Sequence, residues 1–417
     1  MRAASALLSS EGFDPERLLA PQQAVVAFFA RLALEPPQSE RVALDACAGR
    51  VLANDVVTES AYPRAARSTM DGFAIRAVDT PGALEITGAV QMGKEPDLPI
   101  GRCETMRVPT GGLVPSGADA VIPFEEVQQD GNVVRVERSV AAGNCLTQPG
   151  EDLSAGERIL PAGRRIGAAD VGVLATLGYA QVEVCVRPQI ALISSGDELV
   201  DPGAPAGPAQ THDSNRYALA AALRAMGARV HHYPTVRDVT GALEDALCSA
   251  LPQSDAIVLS GGSSVGELDR TPRAIDAIGE PGVIVHGLRV KPGKPTVLAA
   301  IGGKPILGLP GNPTSALMIL ETIGAPIVAA LTGWQPHEPL IEAELAETVQ
   351  SRVGWTWYVP VSLLDEGTRY RATPLSMRSS LVSLCARAAG FIVVDESTER
   401  LERGTVVRVH RFSLGWL

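Results

Sequence analysis

The sequence predicts a multidomain α/β-plus-β protein, in which a doubly wound, mostly parallel sheet domain is accompanied by an inserted β module and a small C-terminal β domain. Three observations point there. The chain has 417 residues, too many for one ordinary core, so three or four domains or subdomains are expected. Strand and helix patterns alternate strictly from Gln189 onward, which is the signature of a parallel sheet covered on both faces. Two other stretches, one from Ala61 to about Asp152 and one after Gly333, hold short β-like runs broken by glycine and proline. With 41 Gly, 31 Pro and only 4% aromatic residues, many sharp turns and short strands are expected.

Taken in order, residues 21 to 58 read as helical, with apolar positions at Val25, Phe28, Phe29 and Leu32, then at Leu44, Val51 and Leu52. The runs FAI, LEITGAV, ETMRVP, AVIPFEEV and NVVRVERSV follow as strands of a separate module. ERILPAGRRIGAADVGVLATLGYAQVEVCVRP then returns to mixed helix and strand, so the β module is an insertion. The expected division is 1–58 with 153–188 as a first domain, 59–152 as the inserted module, 189–332 as the doubly wound domain and 333–417 as the C-terminal β domain. Within the third, QIALIS is a strand and SNRYALAAALRAMG a helix with Ser214 as N-cap and Gly227 as its stop. RVHHYPTV, AIVLS, VIVHGLRV, PTVLAAI and KPILGLP are further strands, and VTGALEDALCSAL, TPRAIDAIG and NPTSALMILETIGAPIVAAL further helices.

Composition excludes several function classes. A formal charge of −11, with no basic run, argues against a nucleic-acid binder that works by phosphate neutralisation. The six cysteines are scattered, with no C-x-x-C pair, and read as reduced thiols of a cytoplasmic protein. The N-terminal MRAASALLSSEGFDPERLLA does not read as a signal peptide. The apolar stretch SALMILETIGAPIVAALTG, interrupted by Glu321 and two glycines, reads as too short and too broken to span a membrane.

In doubly wound sheets ligands bind beyond the carboxyl ends of the strands. Here QIALIS runs into Ser195, Gly196, Asp197 and Glu198, and RVHHYPTV into Arg237 and Asp238. AIVLS runs into SGGSSVGELD, Ser260 to Asp269, and VIVHGLRV into KPGKP with Lys291 and Lys294. KPILGLP ends in Pro310, Gly311 and Asn312 at a helix start. Backbone N–H groups of Gly261, Gly262, Ser263 and Ser264 suit an anion, and so do the two lysines. Acids beside an anion site, Asp238 and Asp269, are explained by a divalent metal between carboxylate and phosphate, an arrangement Mg²⁺ prefers. Each feature has a plainer reading. Asp197 serves equally as a turn cap, Glu267 and Asp269 as first-turn acids favoured by the helix dipole, and His231 and His232 as satisfied strand residues. No G-x-x-x-x-G-K-[ST] or G-x-G-x-x-G follows a strand, which disfavours a P-loop NTPase and a dinucleotide dehydrogenase.

SGGSSVGELD, KPGKP, GLPGNPTSA, SSGDEL, THDSNR, STMDGFAI, PTGGLVPSGADAVI and PGEDLSAGERILPAG together resemble the molybdopterin molybdenumtransferases, MoeA and the E domain of gephyrin, over residues 21 to 333. The resemblance implies a four-domain subunit, an elongated homodimer with a shared cleft, and insertion of molybdate (or tungstate) into adenylyl-molybdopterin with release of AMP, assisted by Mg²⁺. It also implies an adenylyltransferase and molybdoenzyme maturation proteins as candidate partners. Carried over one residue at a time, it implies catalytic roles for Asp71, Asp152, Glu198, Asp238 and Asp269, the last two holding the metal. It implies ligand contacts for Thr110, Asp213, Asn215, Lys291, Lys294 and Ser315.

The C-terminal domain departs from the family's pattern. Gly354-Trp355-Thr356-Trp357 stands where the family has Gly-Arg-x-x-Phe-x-Arg, and Met377-Arg378-Ser379 where it has Gln-Gly-Ser. Arg378 and Ser379 are the candidate replacements. Two other readings compete: a molybdopterin carrier that has lost oxyanion insertion, and an adenylyltransferase like the related single-domain proteins. The acid set disfavours the first, and the extra domains with the Asp71 motif disfavour the second.

Overall fold

The computed structural model describes residues 18–32, 34–261, 270–335 and 340–412. The chain divides into two compact units, 55–161 and the remainder. The smaller unit is a six-stranded sheet in the spatial order Ala120–Pro123, Gly72–Ile75, Glu104–Val108, Gly82–Ala89, Val133–Val136, Gln128–Asp130. Its pairs are antiparallel apart from Gly82–Ala89 with Glu104–Val108. Phe73, Ile75, Leu84, Ile122 and Val134 fill one face, and Ala74, Val108 and Val121 the other, so the strand FAI is buried on both sides.

The larger unit holds a second six-stranded sheet, ordered Arg229–His232, Gln189–Ser194, Ala256–Ser260, Lys304–Leu309, Val297–Ile301, Pro281–His286. The first four strands are parallel, and only Val297–Ile301 runs against its neighbours. Successive side chains of a strand point to opposite faces, and here both faces are dry. Ile190 and Leu192 pack with Leu219 and Leu223 of helix Ser214–Ala225. Ala191 and Ile193 pack with Leu243, Leu247, Ala274 and Ile275 of helices Ala242–Ala250 and Arg270–Ile278. The doubly wound arrangement follows from that two-sided burial.

The last β-texture closes into a barrel. Thr356–Asp365, Tyr370–Pro374, Leu340–Leu345, Val406–Arg411 and Gly390–Val394 form a ring, since Gly390–Val394 pairs back onto Thr356–Asp365. Closure leaves no edge strand exposed among these five. Val359, Val361, Ile392, Val394 and Val409 fill its inside. Tyr358, Phe391 and Phe412 point outward into the α/β core instead, which seats the barrel on the doubly wound domain.

Several elements differ from expectation. The helix near the start is Pro21–Arg31 alone, and Ala24 and Phe28 are buried in the α/β core. Residues after it form the strand Ser39–Ala43, paired with Gln181–Cys185, and a short turn at Leu44–Ala46. Gly49 at φ +75 stops any helix there, and Val51 and Leu52 are extended, bridging Arg165 and Val184. VIVHGLRV splits: Pro281–His286 stays in the α/β sheet, while Val290–Lys291 leaves to pair with Thr356–Trp357 of the barrel. Asp213, rather than Ser214, caps its helix, its Oδ1 accepting from the Arg216 N–H at 3.0 Å.

The apolar stretch expected to be broken is one continuous helix, Pro313–Thr332, with a π segment at Leu320–Gly324. The wider turn lies just before Pro326, which has no N–H to donate into the helix. Its length and composition would cross a bilayer, yet 61% of its most apolar window is packed inside the fold, as in a core helix.

Candidate functional site

Register aligns the strand ends. Ser194 lies opposite Ser260, and Ser260 opposite Leu309, so three adjacent parallel strands finish at one level. A cleft of about 1200 Å³ opens beyond them, entirely within the larger unit. Its floor is stitched by Asn215 at the start of helix Ser214–Ala225. The Asn215 amide donates to Ser260 Oγ and to the Gly311 carbonyl, both at 2.8 Å, tying the second and third strand ends to the helix. Gly261 has φ +91, and a Cβ there would lie 2.2 Å from the Ser195 carbonyl oxygen, so only glycine lets the chain turn so close to its neighbour.

Asp213 carries an unusual feature. Its side chain is almost wholly buried, and while Oδ1 caps the helix, Oδ2 has no hydrogen-bond partner among the described residues. A buried acceptor left unmet costs about 1–3 kcal/mol. The residue lines the cleft.

The structure brings Glu198, Asp213, Asn215, Asp238, Ser260, Gly261, Lys291, Lys294, Pro310, Gly311, Asn312, Ser315 and Ser379 together as lining of this one cleft. Ser315 is buried. Asn312 Nδ2 donates to Ser379 Oγ at 3.1 Å, and the Thr314 N–H and Oγ1 donate to the Ser379 and Leu381 carbonyls. These bonds bring a barrel segment to the start of the long helix. Arg378, between lining residues Met377 and Ser379, is exposed and does not line the cleft.

Asp71, Thr110 and Asp152 lie in the smaller unit. There Asp71 Oδ1 accepts from the Thr110 N–H at 2.7 Å and from its hydroxyl at 3.1 Å, so those two residues form one exposed cluster. Asp152 is exposed, and its N–H donates to the Tyr62 carbonyl. Gly262, Ser263, Ser264, Glu267 and Asp269 lie outside the described residues.

Among the described residues no group of three or more His, Cys, Asp or Glu side chains could hold a metal ion. Asp197, Glu198 and Asp238 nonetheless line the cleft together, and hard oxygen donors of this kind suit Mg²⁺, which needs only one or two carboxylates beside substrate oxygens. Asp197 also caps a turn, its Oδ1 accepting from the Asp238 N–H at 3.1 Å. Arg270 donates to the Asp238 carbonyl. The two strand histidines are satisfied structurally. His231 meets Gln189 Oε1 at 2.6 Å, and His232 sits between Arg216 and Arg224. Burial, and then those two positive charges, hold the His232 imidazole below its ordinary 6.5.

The sequence reading missed Arg352, Trp355 and Trp357, which line the cleft from the barrel side. Lys291 Nζ stands 4.1 Å from the Trp357 ring centroid, and the Arg352 guanidinium 5.6 Å from that of Trp355. The tetrapeptide Arg-Val-Gly-Trp, a turn signature with glycine third, was the available signal.

Comparison with known proteins agrees with this architecture. Residues 19–178 match the MoeA N-terminal region (domain I and II), 191–330 a probable molybdopterin binding domain, and 342–412 the MoeA C-terminal region (domain IV). The class is thus a multidomain protein built around a molybdopterin-binding-type α/β domain. A molybdopterin molybdenumtransferase 2 of Mycobacterium tuberculosis is 34% identical over 383 residues, 88% of this chain and 94% of that protein. One from Bacillus subtilis is 29% identical over 385 residues, 89% of each. A crystal structure of a molybdopterin biosynthesis MoeA protein from Pyrococcus horikoshii superposes with TM-score 0.79 at 30% identity, covering 95% of this chain and 99% of the other. The chain belongs to the MoeA family of molybdopterin molybdenumtransferases.

Proposed function

We propose that this chain completes molybdenum cofactor biosynthesis by inserting molybdate into adenylyl-molybdopterin with release of AMP. The observation that carries the reading is the cleft beyond the three aligned strand ends, which Asp213, Asn215, Ser260, Gly261, Lys291 and Lys294 line together. The backbone at Ser260 and Gly261 takes the pyrophosphate, and Asp213 with Asn215 orients the ligand against the strand ends. Lys291, Lys294 and Ser315 take the oxyanion, the lysines contributing point charges. Asp238 and Asp269 are the residues that would hold Mg²⁺, which when bound supplies charge neutralisation on the phosphoanhydride oxygens. The phosphoanhydride P–O bond breaks, and AMP leaves with its phosphate completed by an oxygen from the attacking oxyanion or water. Roles for Asp71, Thr110, Asp152 and Asp269 rest on the resemblance alone. So do the homodimer, the cytoplasmic location and any partner that supplies the adenylylated pterin or receives the product.

The test is incubation with adenylyl-molybdopterin, molybdate and Mg²⁺, following AMP and active cofactor. AMP released only when molybdate is present, with active cofactor formed, is the expected result. Ligand binding without AMP release would replace the reading with that of a carrier.

A further inference from the structure

The barrel enters the cleft through a short, strictly local device. Arg352-Val353-Gly354-Trp355 is a four-residue turn, closed by the Trp355 N–H donating to the Arg352 carbonyl at 3.1 Å. Gly354 takes φ +83 at its third position, which an L side chain resists. The turn brings the ends of the tetrapeptide together, and the guanidinium lies over the indole. Directly after it, the Thr356 N–H donates to the Arg289 carbonyl, and the parallel register sets Val290 beside Thr356 and Lys291 beside Trp357. The neighbouring side chains of that ladder are the second pair, ammonium over indole.

Two cations therefore face the cleft from one side, each on an aromatic face. Three other barrel arginines are matched to carboxylates: Arg369 to Glu344, Arg371 to Glu366 and Arg400 to Glu402. Neither Arg352 nor Lys291 has such a partner among the described residues. The distinction matters chemically. A carboxylate that fixes a cation also cancels its charge, whereas an indole face orients the cation through its quadrupole and leaves the full positive charge for a ligand. Arg352 adds a planar fork of donors, and Lys291 a point charge. A fork and a point charge together suit a tetrahedral oxyanion.

We propose that Arg352, held by Trp355, binds the oxyanion substrate alongside Lys291, held by Trp357. This rests on the reading of the cleft given above. Arg352 is the contacting residue, while Trp355 and Trp357 position the two cations.

Molybdate is the probe, in two measurements on the full chain. One is the molybdate dependence of AMP release at saturating adenylyl-molybdopterin. The other is direct titration of tryptophan fluorescence with molybdate, which needs no turnover. Arg352→Ala is expected to raise the half-saturating molybdate at least tenfold in both, with half-saturation in the adenylylated pterin changed less than twofold. Trp355→Leu should raise it several-fold, and Trp355→Phe should restore it, since phenyl keeps a π face and leucine does not. Urea unfolding midpoints equal to wild type confirm that each variant is folded. An unchanged molybdate dependence in Arg352→Ala overturns the inference, and an increase seen in Arg378→Ala instead would reassign the guanidinium. If wild type binds molybdate in the titration but never releases AMP, the transferase reading fails while the Arg352 assignment is still decided by the titration.

Discussion

Replacing Asn215 by Leu tests whether the cleft floor is held by one amide. The substitution conserves shape but removes both hydrogen bonds to Ser260 Oγ and the Gly311 carbonyl. Asn215 is only 7% exposed, so water reaches the abandoned groups poorly. Two bonds of about 1 kcal/mol net each, plus a carbonyl left short of a donor, give a loss of about 2–4 kcal/mol. At a urea sensitivity of about 3 kcal/mol per molar, the unfolding midpoint falls by about 1 M. Ser260→Ala removes only one of the two bonds and should cost about 1 kcal/mol. A functional loss should accompany the stability cost, because the two strand ends proposed to bind the pyrophosphate lose their common tie. AMP release by the folded Asn215→Leu variant should drop more than tenfold, mainly through weaker binding of the adenylylated pterin. A wild-type midpoint together with wild-type half-saturation would refute the argument that Asn215 organises the site.

Asp269→Asn is expected to slow AMP release by at least a hundredfold without moving the unfolding midpoint, since removal of a charge-stabilising group costs about 3–4 kcal/mol in activation; near-normal rates would leave it as a helix-end acid. His232, held below 6.5 when folded, protonates more readily in the unfolded chain, so stability is lost as pH falls below that value and is unaffected above it. His232→Gln should therefore lose less in urea midpoint between about pH 7.5 and about pH 5.5 than wild type, and an equal loss would exclude this histidine as a source of acid sensitivity. Light scattering at micromolar concentration should give the mass of a dimer; a monomer with full activity would remove the homodimer from the proposal.

Much of the architecture was legible because burial on two sides leaves a mark on sequence. QIALIS, AIVLS and KPILGL are uninterrupted apolar runs, and in the structure both faces of each are covered. The residues following them stood out as a candidate site for a related reason: glycines, small hydroxyls and charges recur at successive strand ends, and the structure gathers them around one cleft. The helix read at Leu44 to Leu52 failed because apolar spacing over so short a span fits a strand, turn and bridge equally well, and the partner that decided it, Gln181–Cys185, is remote in sequence.

What the sequence by itself determined is the family, the alternation of elements and the set of residues at the strand ends, since each depends on neighbours a few positions away. Tertiary structure alone decided that Val290–Lys291 leaves its sheet for the barrel, and that Asp213, a cleft-lining residue, keeps a buried oxygen without a partner among the described residues. It alone placed Trp357 beside Lys291 and brought Arg352 and Trp355 into the lining of the same cleft, while Arg378 stayed out of that lining. The placing of Lys291 beside Trp357 rests on pairing between segments remote in the chain, set by backbone register and barrel closure, and local periodicity carries no record of either.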